Sequence, residues 1–284
     1  MNKRLLFIAL FSLCINQSKA WDLIQPTGGR SSSLGRCSVA LNDFWSCNNN
    51  PAGIASYRFL SAGIYYENRF MIKELGYKSA GLIFPIKQGA LGVSINQFGY
   101  NLYNENVIGI IYARSFGKYL CLGLKLDYIF IKYNNDNYLN INAVTFEFGA
   151  QSYITENICL AWYIFNPTHV KIRSPNIAKF PIIMRLGISY KATDDFMITS
   201  EIEENFRDNI SFRFGLEYGI IKNVHLRCGF QLNSNIITLG IGFNFKTFNI
   251  DISSEINQTL GTSLQCSLTF NIRNKNNKGG NDEE

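Results

Sequence analysis

Residues 210–220 read Ile-Ser-Phe-Arg-Phe-Gly-Leu-Glu-Tyr-Gly-Ile, so that apolar and polar side chains alternate along the whole stretch. Successive side chains of a β-strand point to opposite faces, and the alternation therefore predicts a strand with one apolar and one polar face. The same pattern returns in residues 224–232, 237–245 and 264–272. Strands repeated in this way predict an all-β fold.

The alternation extends over most of the chain and divides into about fourteen strands. Their predicted starts are residues 57, 75, 90, 106, 119, 139, 157, 181, 195, 210, 223, 235, 247 and 263. Between residues 119 and 169 the alternation is double-sided in places, so the fifth to seventh strands are the hardest to delimit. Short connections follow the even-numbered strands and longer ones follow most odd-numbered strands. An even strand count with that division places both ends of the sheet on one side.

Two architectures fit these strands: a soluble β-sandwich and a transmembrane antiparallel β-barrel. Three features favour the barrel. The apolar faces match the roughly 9–11 residues that a tilted strand needs to cross a bilayer. The opposite faces carry the Gly, Ser, Asn and isolated charges that are typical of a lumen. Tyrosines also recur near the predicted strand ends, where an aromatic girdle would lie, and they are Tyr65, Tyr66, Tyr112, Tyr128, Tyr153, Tyr190 and Tyr218.

The first twenty residues have the pattern of a cleaved secretory signal peptide, with Lys3 and Arg4 before an apolar run and small residues at 18–20. We therefore predict a protein of the outer membrane of a Gram-negative bacterium, surrounded by outer-membrane lipid. The predicted divisions are a signal peptide at 1–20, an N-terminal hatch at 21–55, a barrel at 56–273 and a polar tail at 274–284. The net charge of +6 is scattered along the chain, which excludes nucleic acid as the expected partner.

The cysteines predict no metal site. They have no CxxC spacing, and with only two histidines the sequence points to no metal and no cofactor. Cys37 and Cys47 lie close enough in sequence to form a disulfide in an oxidising compartment or to remain buried thiols, and the sequence leaves both open. Cys228 and Cys266 fall on apolar strand faces, where we expect them to face lipid.

Residues 21–55 carry turn formers but no strand pattern, and they directly precede the barrel. A barrel near fourteen strands has a lumen that side chains of the wall do not fill completely. We therefore predict that this stretch plugs the lumen as a hatch. The hatch residues expected to matter most are Gly29, Arg30, Gly35, Asn50, Pro51, Ala52 and Gly53.

The predicted hatch resembles the N-terminal part of outer-membrane barrels related to the FadL long-chain fatty-acid channel, and most of all their PorV/PorQ branch. The resemblance rests on about 25 residues, namely Gly29-Arg30, Leu34-Gly35, Val-Ala-Leu-Asn-Asp at 39–43 and Asn-Pro-Ala-Gly-Ile-Ala at 50–55. Arg36 stands where that branch often has a second glycine. The resemblance implies a barrel of about fourteen strands with a hatch that contains Asn-Pro-Ala.

Two functions follow from the resemblance. PorV/PorQ-like proteins are accessories of type IX secretion that receive exported cargo proteins or help to anchor them at the surface. FadL-like channels pass hydrophobic small molecules through the hatch and sideways into lipid. The predicted lumen face carries Lys125, Asp127, Glu147, Arg185, Glu201, Glu203, Arg213, Glu217, Arg227, Asp251 and Glu255. Opposite charges in this number are expected to pair into a structural network, so the sequence favours the secretion accessory over the uptake channel.

A lipid-modifying hydrolase is the enzymatic alternative. Such an enzyme needs a nucleophile, a base and an orienting group within reach of one another. His225 lies on a polar strand face and His169 in a loop, and neither belongs to a recognisable Ser/His motif. The sequence therefore predicts a protein without catalytic residues.

Overall fold

The two faces of the alternation lie on opposite sides of one closed sheet. The computed structural model describes residues 24–134, 139–170, 180–205 and 210–272. The strands within them are β1 (Leu60–Asn68), β2 (Gly76–Ile86), β3 (Gly89–Gly99), β4 (Tyr103–Phe116), β5 (Leu120–Tyr133), β6 (Ile141–Tyr153), β7 (Ile158–Phe165), β8 (Ile183–Lys191), β9 (Phe196–Asn205), β10 (Ser211–Ile221), β11 (Val224–Gln231), β12 (Ile236–Asn244), β13 (Phe248–Asn257) and β14 (Gly261–Ile272). Each begins within three residues of its predicted start. The predicted antiparallel barrel of about fourteen strands is confirmed.

The barrel closes where the first and last strands pair. β1 runs antiparallel to β14 with Leu60 opposite Ile272, so the sheet has no free edge. The even-numbered strands are followed by short turns, such as residues 87–88 and 222–223, and we call this end of the barrel the short-turn end. The other end, with connections such as residues 69–75, is the long-loop end. The start of β1 and the end of β14 both lie at the short-turn end.

β10 shows how the alternation maps onto the wall. Phe214 and Leu216 are exposed on the outside of the barrel, whereas Arg213 and Glu217 are buried on the inside. The other strands follow the same rule, so the outer surface is an apolar band and the inner surface is largely polar. No helix in the described part of the chain is both long enough and apolar enough to cross a membrane.

Residues 24–56 lie inside the barrel, and we call them the inner segment. They cover most of the predicted hatch and include the short helices α1 (Gly29–Ser33) and α2 (Ser46–Asn49) and a 3₁₀ helix at Pro51–Ser56. The predicted signal peptide and polar tail lie outside the described residues.

Of the seven tyrosines expected in an aromatic girdle, five face outward and two face the lumen. Tyr66, Tyr112, Tyr128, Tyr190 and Tyr218 are exposed on the outer face. Tyr65 is buried at 3% exposure, and its hydroxyl lies 3.1 Å from Ser32 Oγ of the inner segment. Tyr153 also faces inward, where its hydroxyl accepts a bond from Asn42 Nδ2 at 3.0 Å. The prediction was wrong for these two because the register of β1 and β6 turns their odd-numbered residues towards the lumen.

Candidate functional site

The inner segment belongs to the buried core of the barrel. Trp45, Ala52 and Ile54 are at most 2% exposed. The Trp45 ring packs edge-on against Phe44 and Tyr65, with ring centroids 5.1 and 5.7 Å apart. The wall therefore closes around a packed segment.

The Asn-Pro-Ala turn holds two parts of the inner segment together. Asn50 Oδ1 accepts a bond from the backbone N–H of Ala52 at 3.2 Å, and Pro51 starts the 3₁₀ helix, where its missing N–H is tolerated. Asn50 Nδ2 donates to the carbonyl of Val39 at 2.8 Å and to that of Ala150 on β6 at 3.4 Å. One buried amide thus ties the turn to an earlier part of the segment and to the wall.

Gly35 and Arg36 both have a left-handed backbone, with φ of +64° and +63°. Glycine adopts this conformation freely, whereas for arginine it costs about 1–2 kcal/mol. The guanidinium of Arg36 donates to Glu255 on β13 at 2.6 Å and to Glu67 on β1 at 2.8 Å. Arg36 therefore keeps the conformation of a glycine and adds two ion pairs to the wall.

Arg30 makes the second ionic contact between the inner segment and the wall. Its Nε and Nη2 donate to the two carboxylate oxygens of Glu217 at 2.8 and 2.7 Å, a two-point geometry that strengthens such pairs. Glu217 also accepts from Arg227 Nε at 2.5 Å, and Arg227 Nη1 donates to Asp251 at 2.6 Å. A row of alternating charges therefore runs from the inner segment across β10, β11 and β13.

The other predicted lumen charges also face inward and form ion pairs. These pairs are Arg185–Glu203, Arg213–Glu201, Arg213–Glu203, Lys125–Glu147 and Lys125–Asp127. Glu201 additionally accepts bonds from the backbone N–H groups of Ser38 and Val39 at 2.7 and 2.9 Å. The structure thus brings wall charges and inner segment together, with Lys125 and its partners on a different side of the lumen.

Two of the predicted hatch glycines use their backbone as anchors. The N–H of Gly29 donates to Ser267 Oγ on β14 at 3.2 Å, and the N–H of Gly35 donates to Thr238 Oγ1 on β12 at 2.8 Å. Gly53 instead packs against Ser46 within the segment. Helix α1 and the turn after it are therefore bonded to the wall at both ends.

Glycines of the wall were not predicted as site residues, yet they make room for the inner segment. Three pairs face each other on neighbouring strands, and they are Gly63–Gly81, Gly123–Gly149 and Gly215–Gly229. A Cβ atom at Gly123 would lie 2.3 Å from the carbonyl carbon of Pro51, and one at Gly229 would lie 2.0 Å from the nitrogen of Gly35. Glycine inside a strand marks a close approach of another backbone, and that is the sequence signal that could have found them.

The long-loop end of the lumen is apolar on one side. Its buried residues on β3 to β8 and in the connection after β7 are Phe98, Val107, Ile129, Ile131, Ile141, Phe165, Phe180 and Ile183. They form one continuous packed cluster with Phe44, Trp45 and Ile54 of the inner segment. Most of the ion pairs lie on β8 to β14 and β1, across the lumen from this cluster. The lumen is therefore apolar at the long-loop end of β3 to β8, with the Lys125 ion pairs nearer the short-turn end of β5 and β6, and most other ion pairs lie on the remaining strands.

A polar cavity of about 340 Å³ lies beside the inner segment at the short-turn end. Its lining includes Arg30, Asp43, Glu217, His225 and residues 193–195 of the turn after β8. Burial raises the pKa of Asp43, although the Arg30 guanidinium 3.5 Å away opposes the rise. His225 Nδ1 lies 3.3 Å from the side-chain amide nitrogen of Asn244.

The cysteines of the inner segment are separate buried thiols. Cys37 packs with Leu34, Leu41 and Met197, whereas Cys47 belongs to the larger apolar cluster, and neither forms a disulfide. Burial raises the pKa of Cys47 to about 12 and that of Cys37 well above its ordinary value. Among the described residues, no group of three or more His, Cys, Asp or Glu side chains is placed to hold a metal ion.

Comparison of the sequence with family models and with curated proteins found no match. The structure, in contrast, is similar to several solved barrels. The toluene transporter TbuX of Ralstonia pickettii aligns with a TM-score of 0.70 at 12% identity, over 89% of this chain and 100% of the transporter. The toluene transporter TodX of Pseudomonas putida aligns with a TM-score of 0.67 at 8% identity, over 89% of this chain and 99% of that one.

A FadL homologue of Pseudomonas aeruginosa is similar as well, with a TM-score of 0.62 at 12% identity, over 88% of this chain and 100% of the homologue. The TM-scores establish a common fold, and sequence identities this low leave the substrates open. The resemblance read from the N-terminal motif is thus supported at the level of the FadL-like fold, while the PorV/PorQ branch gains no support. The chain has the fold of the FadL-type barrels.

Proposed function

We propose that this protein is an outer-membrane channel for hydrophobic small molecules and that the inner segment is its plug. The observation that carries the proposal is the continuous apolar cluster from the long-loop end of the lumen to Phe44, Trp45 and Ile54. A water-filled barrel has a polar lumen, so an apolar side needs another explanation. Its residues are buried in this state, so a solute contacts them only after the inner segment moves, and each Å² of apolar surface then removed from water contributes about 25 cal/mol.

The lumen charges fit this proposal better than the sequence suggested. They were expected to speak against an apolar conduit because of their number. In the structure, Arg30 and Arg36 use Glu217, Glu67 and Glu255 to hold the inner segment, and these pairs lie away from the apolar side. These pairs therefore hold the inner segment and do not line the apolar cluster, which a solute can reach only when the packed segment moves.

The names given to the similar barrels support the same choice. TbuX and TodX are named as toluene transporters, which matches the uptake alternative rather than the secretion accessory that the sequence favoured. The apolar outer band supports placement in a membrane, since large side chains such as Ile110 and Leu186 are more than half exposed on it. The proposal also includes export of the protein by a signal peptide at 1–20 and a hatch at 21–55.

Uptake of labelled toluene or fatty acid by cells that produce the protein tests the proposal. Ile129→Asn places an amide in the apolar cluster and should lower uptake at least tenfold, whereas Ile129→Val keeps the cluster apolar and should retain most of it. Heat-modifiable mobility on gels, a property of folded barrels, checks that both variants fold. Normal uptake in a deletion strain that has lost secreted or surface-attached proteins would overturn the channel and favour the secretion accessory.

A further inference from the structure

A basic groove of about 440 Å³ lies on the short-turn end, between the turns that follow β2 and β4. It is lined by Arg58, Lys87, Gln88, Arg114 and residues 115–117. Three of these side chains are cations and none is a carboxylate. The turn after β8 carries Asp194 and Asp195 instead, so the basic character belongs to one part of the rim.

The cations of the groove differ from the lumen cations in their partners. Within the described residues, neither Arg58 nor Lys87 forms an ion pair, and both are exposed. Arg114 Nη2 donates to the side-chain carbonyl of Gln88, and its guanidinium lies 5.3 Å from the ring centre of Phe116. The amide and the ring hold the guanidinium in place without neutralising it, which prepares it for an anion.

The groove borders the apolar outer band. Tyr112, Arg114 and Phe116 alternate on the outward face of β4, and Phe116 is 48% exposed. Ile86, which immediately precedes Lys87, is exposed on the same outer surface. A ligand that fills the groove and also touches these side chains must carry an anionic group on an apolar body.

We propose that this groove binds the phosphate headgroup of an anionic phospholipid, with the acyl chains lying against Ile86, Tyr112 and Phe116. Arginine recognises phosphate through several N–H donors at once, and basic side chains at a membrane surface attract anionic lipids. The proposal rests on the barrel spanning a bilayer, which is part of the proposed function, but it does not depend on which compound the channel passes.

Native mass spectrometry of the detergent-purified protein tests this site with phosphatidylglycerol and phosphatidylcholine as probes. The wild type should retain phosphatidylglycerol in preference to phosphatidylcholine. The triple variant Arg58→Gln, Lys87→Gln, Arg114→Gln should bind phosphatidylglycerol roughly 100-fold more weakly, from about fivefold for each cation. The matched control Lys191→Gln, Lys222→Gln, Lys246→Gln removes three exposed cations elsewhere on the short-turn end and should bind like the wild type.

Three results would overturn the proposal: equal retention of phosphatidylglycerol by the triple variant, equal affinity of the wild type for phosphatidylcholine, or displacement of the lipid by an equal concentration of inorganic phosphate. The last result would mean that the groove binds phosphate and that contacts with the acyl chains contribute nothing to the affinity. Heat-modifiable mobility shows whether each variant is folded. Labelled-toluene uptake is measured separately, so a failed lipid site and a failed channel are distinguishable.

Discussion

Arg30 of the inner segment and Glu217 of β10 are joined at two points, with N–O distances of 2.8 and 2.7 Å, and the Glu217 side chain is only 10% exposed. The two partners are not equivalent. Glu217 also pairs with Arg227, whereas the other acidic contact of Arg30 is a longer one to Asp43 at 3.5 Å. The wall carboxylate is therefore the centre of this contact.

The first prediction is that Glu217→Gln is more damaging than Arg30→Gln. Loss of the carboxylate weakens the pairing of two guanidiniums, and we expect a cost of about 3–5 kcal/mol in the free energy of unfolding. Loss of Arg30 leaves Glu217 paired with Arg227, and we expect about 1–3 kcal/mol. Unfolding in guanidinium chloride measures both values, with Lys222→Gln as a near-neutral control. Equal costs for the two variants would contradict the asymmetry.

The second prediction concerns two inward-facing glycines. In Gly229→Ala the new methyl group would meet the backbone of Gly35, so the inner segment must shift, and we expect a loss of about 1–3 kcal/mol. In Gly219→Ala the nearest atom is 3.4 Å away, an ordinary contact, and stability should change by less than about 1 kcal/mol. Thermal unfolding compares them. If both alanines are tolerated alike, the inner segment does not press against β11.

The third prediction separates the two hydrogen-bonding roles of Asn50. Asn50→Ala removes both and should cost about 1–3 kcal/mol. Asn50→Asp keeps the acceptor for Ala52 but turns an oxygen towards the Val39 carbonyl in a fully buried place, which should cost several kcal/mol. Resistance of the inner segment to protease reports the effect. Greater resistance in the aspartate variant than in the alanine variant would show that the donor role is unimportant.

The fourth prediction uses the thiols as reporters of the plug. Cys228 and Cys266 lie on the apolar outer band, where lipid or detergent covers them, so the comparison is between the folded and the unfolded protein: Cys37 and Cys47 should react with a small maleimide only after unfolding. Burial and the raised pKa of both thiols keep them protonated at neutral pH. Mass spectrometry of labelled peptides gives the rates. Labelling of Cys47 as fast in the folded as in the unfolded protein would mean that the inner segment leaves the lumen readily.

The strand pattern predicted the wall well because most polar side chains on the strands face inward and most apolar ones face outward. It was ambiguous between residues 119 and 169, and the structure gives the reason. Ile129, Ile131 and Ile141 are apolar although they face the lumen, so both faces of β5 and β6 read as apolar. The ambiguity in the sequence pattern therefore arose from apolar residues on the lumen face of β5 and β6.

The partners of the inner segment were beyond the reach of sequence reasoning. Glu67 and Glu255 are far apart in the chain, and only the closed sheet brings both to Arg36. The inward position of Tyr65 depends on the register of β1. A shift of that register by one residue would turn Tyr66 inward instead, and the alternation alone does not distinguish the two registers. The contacts of the inner segment could not be predicted from the motif, because they depend on the closed barrel.

The contacts of Arg36 also bear on how the cylinder is completed. Glu67 belongs to the first strand to be synthesised and Glu255 to the last but one, with β14 inserted between them. Closure has to bring together strands separated by almost the entire chain, which carries an entropic cost. The Arg36 guanidinium pairs with the strands on both sides of β14. A barrel assembled without its inner segment would therefore lose an ionic link that stabilises its closure as well as the residues that fill its lumen.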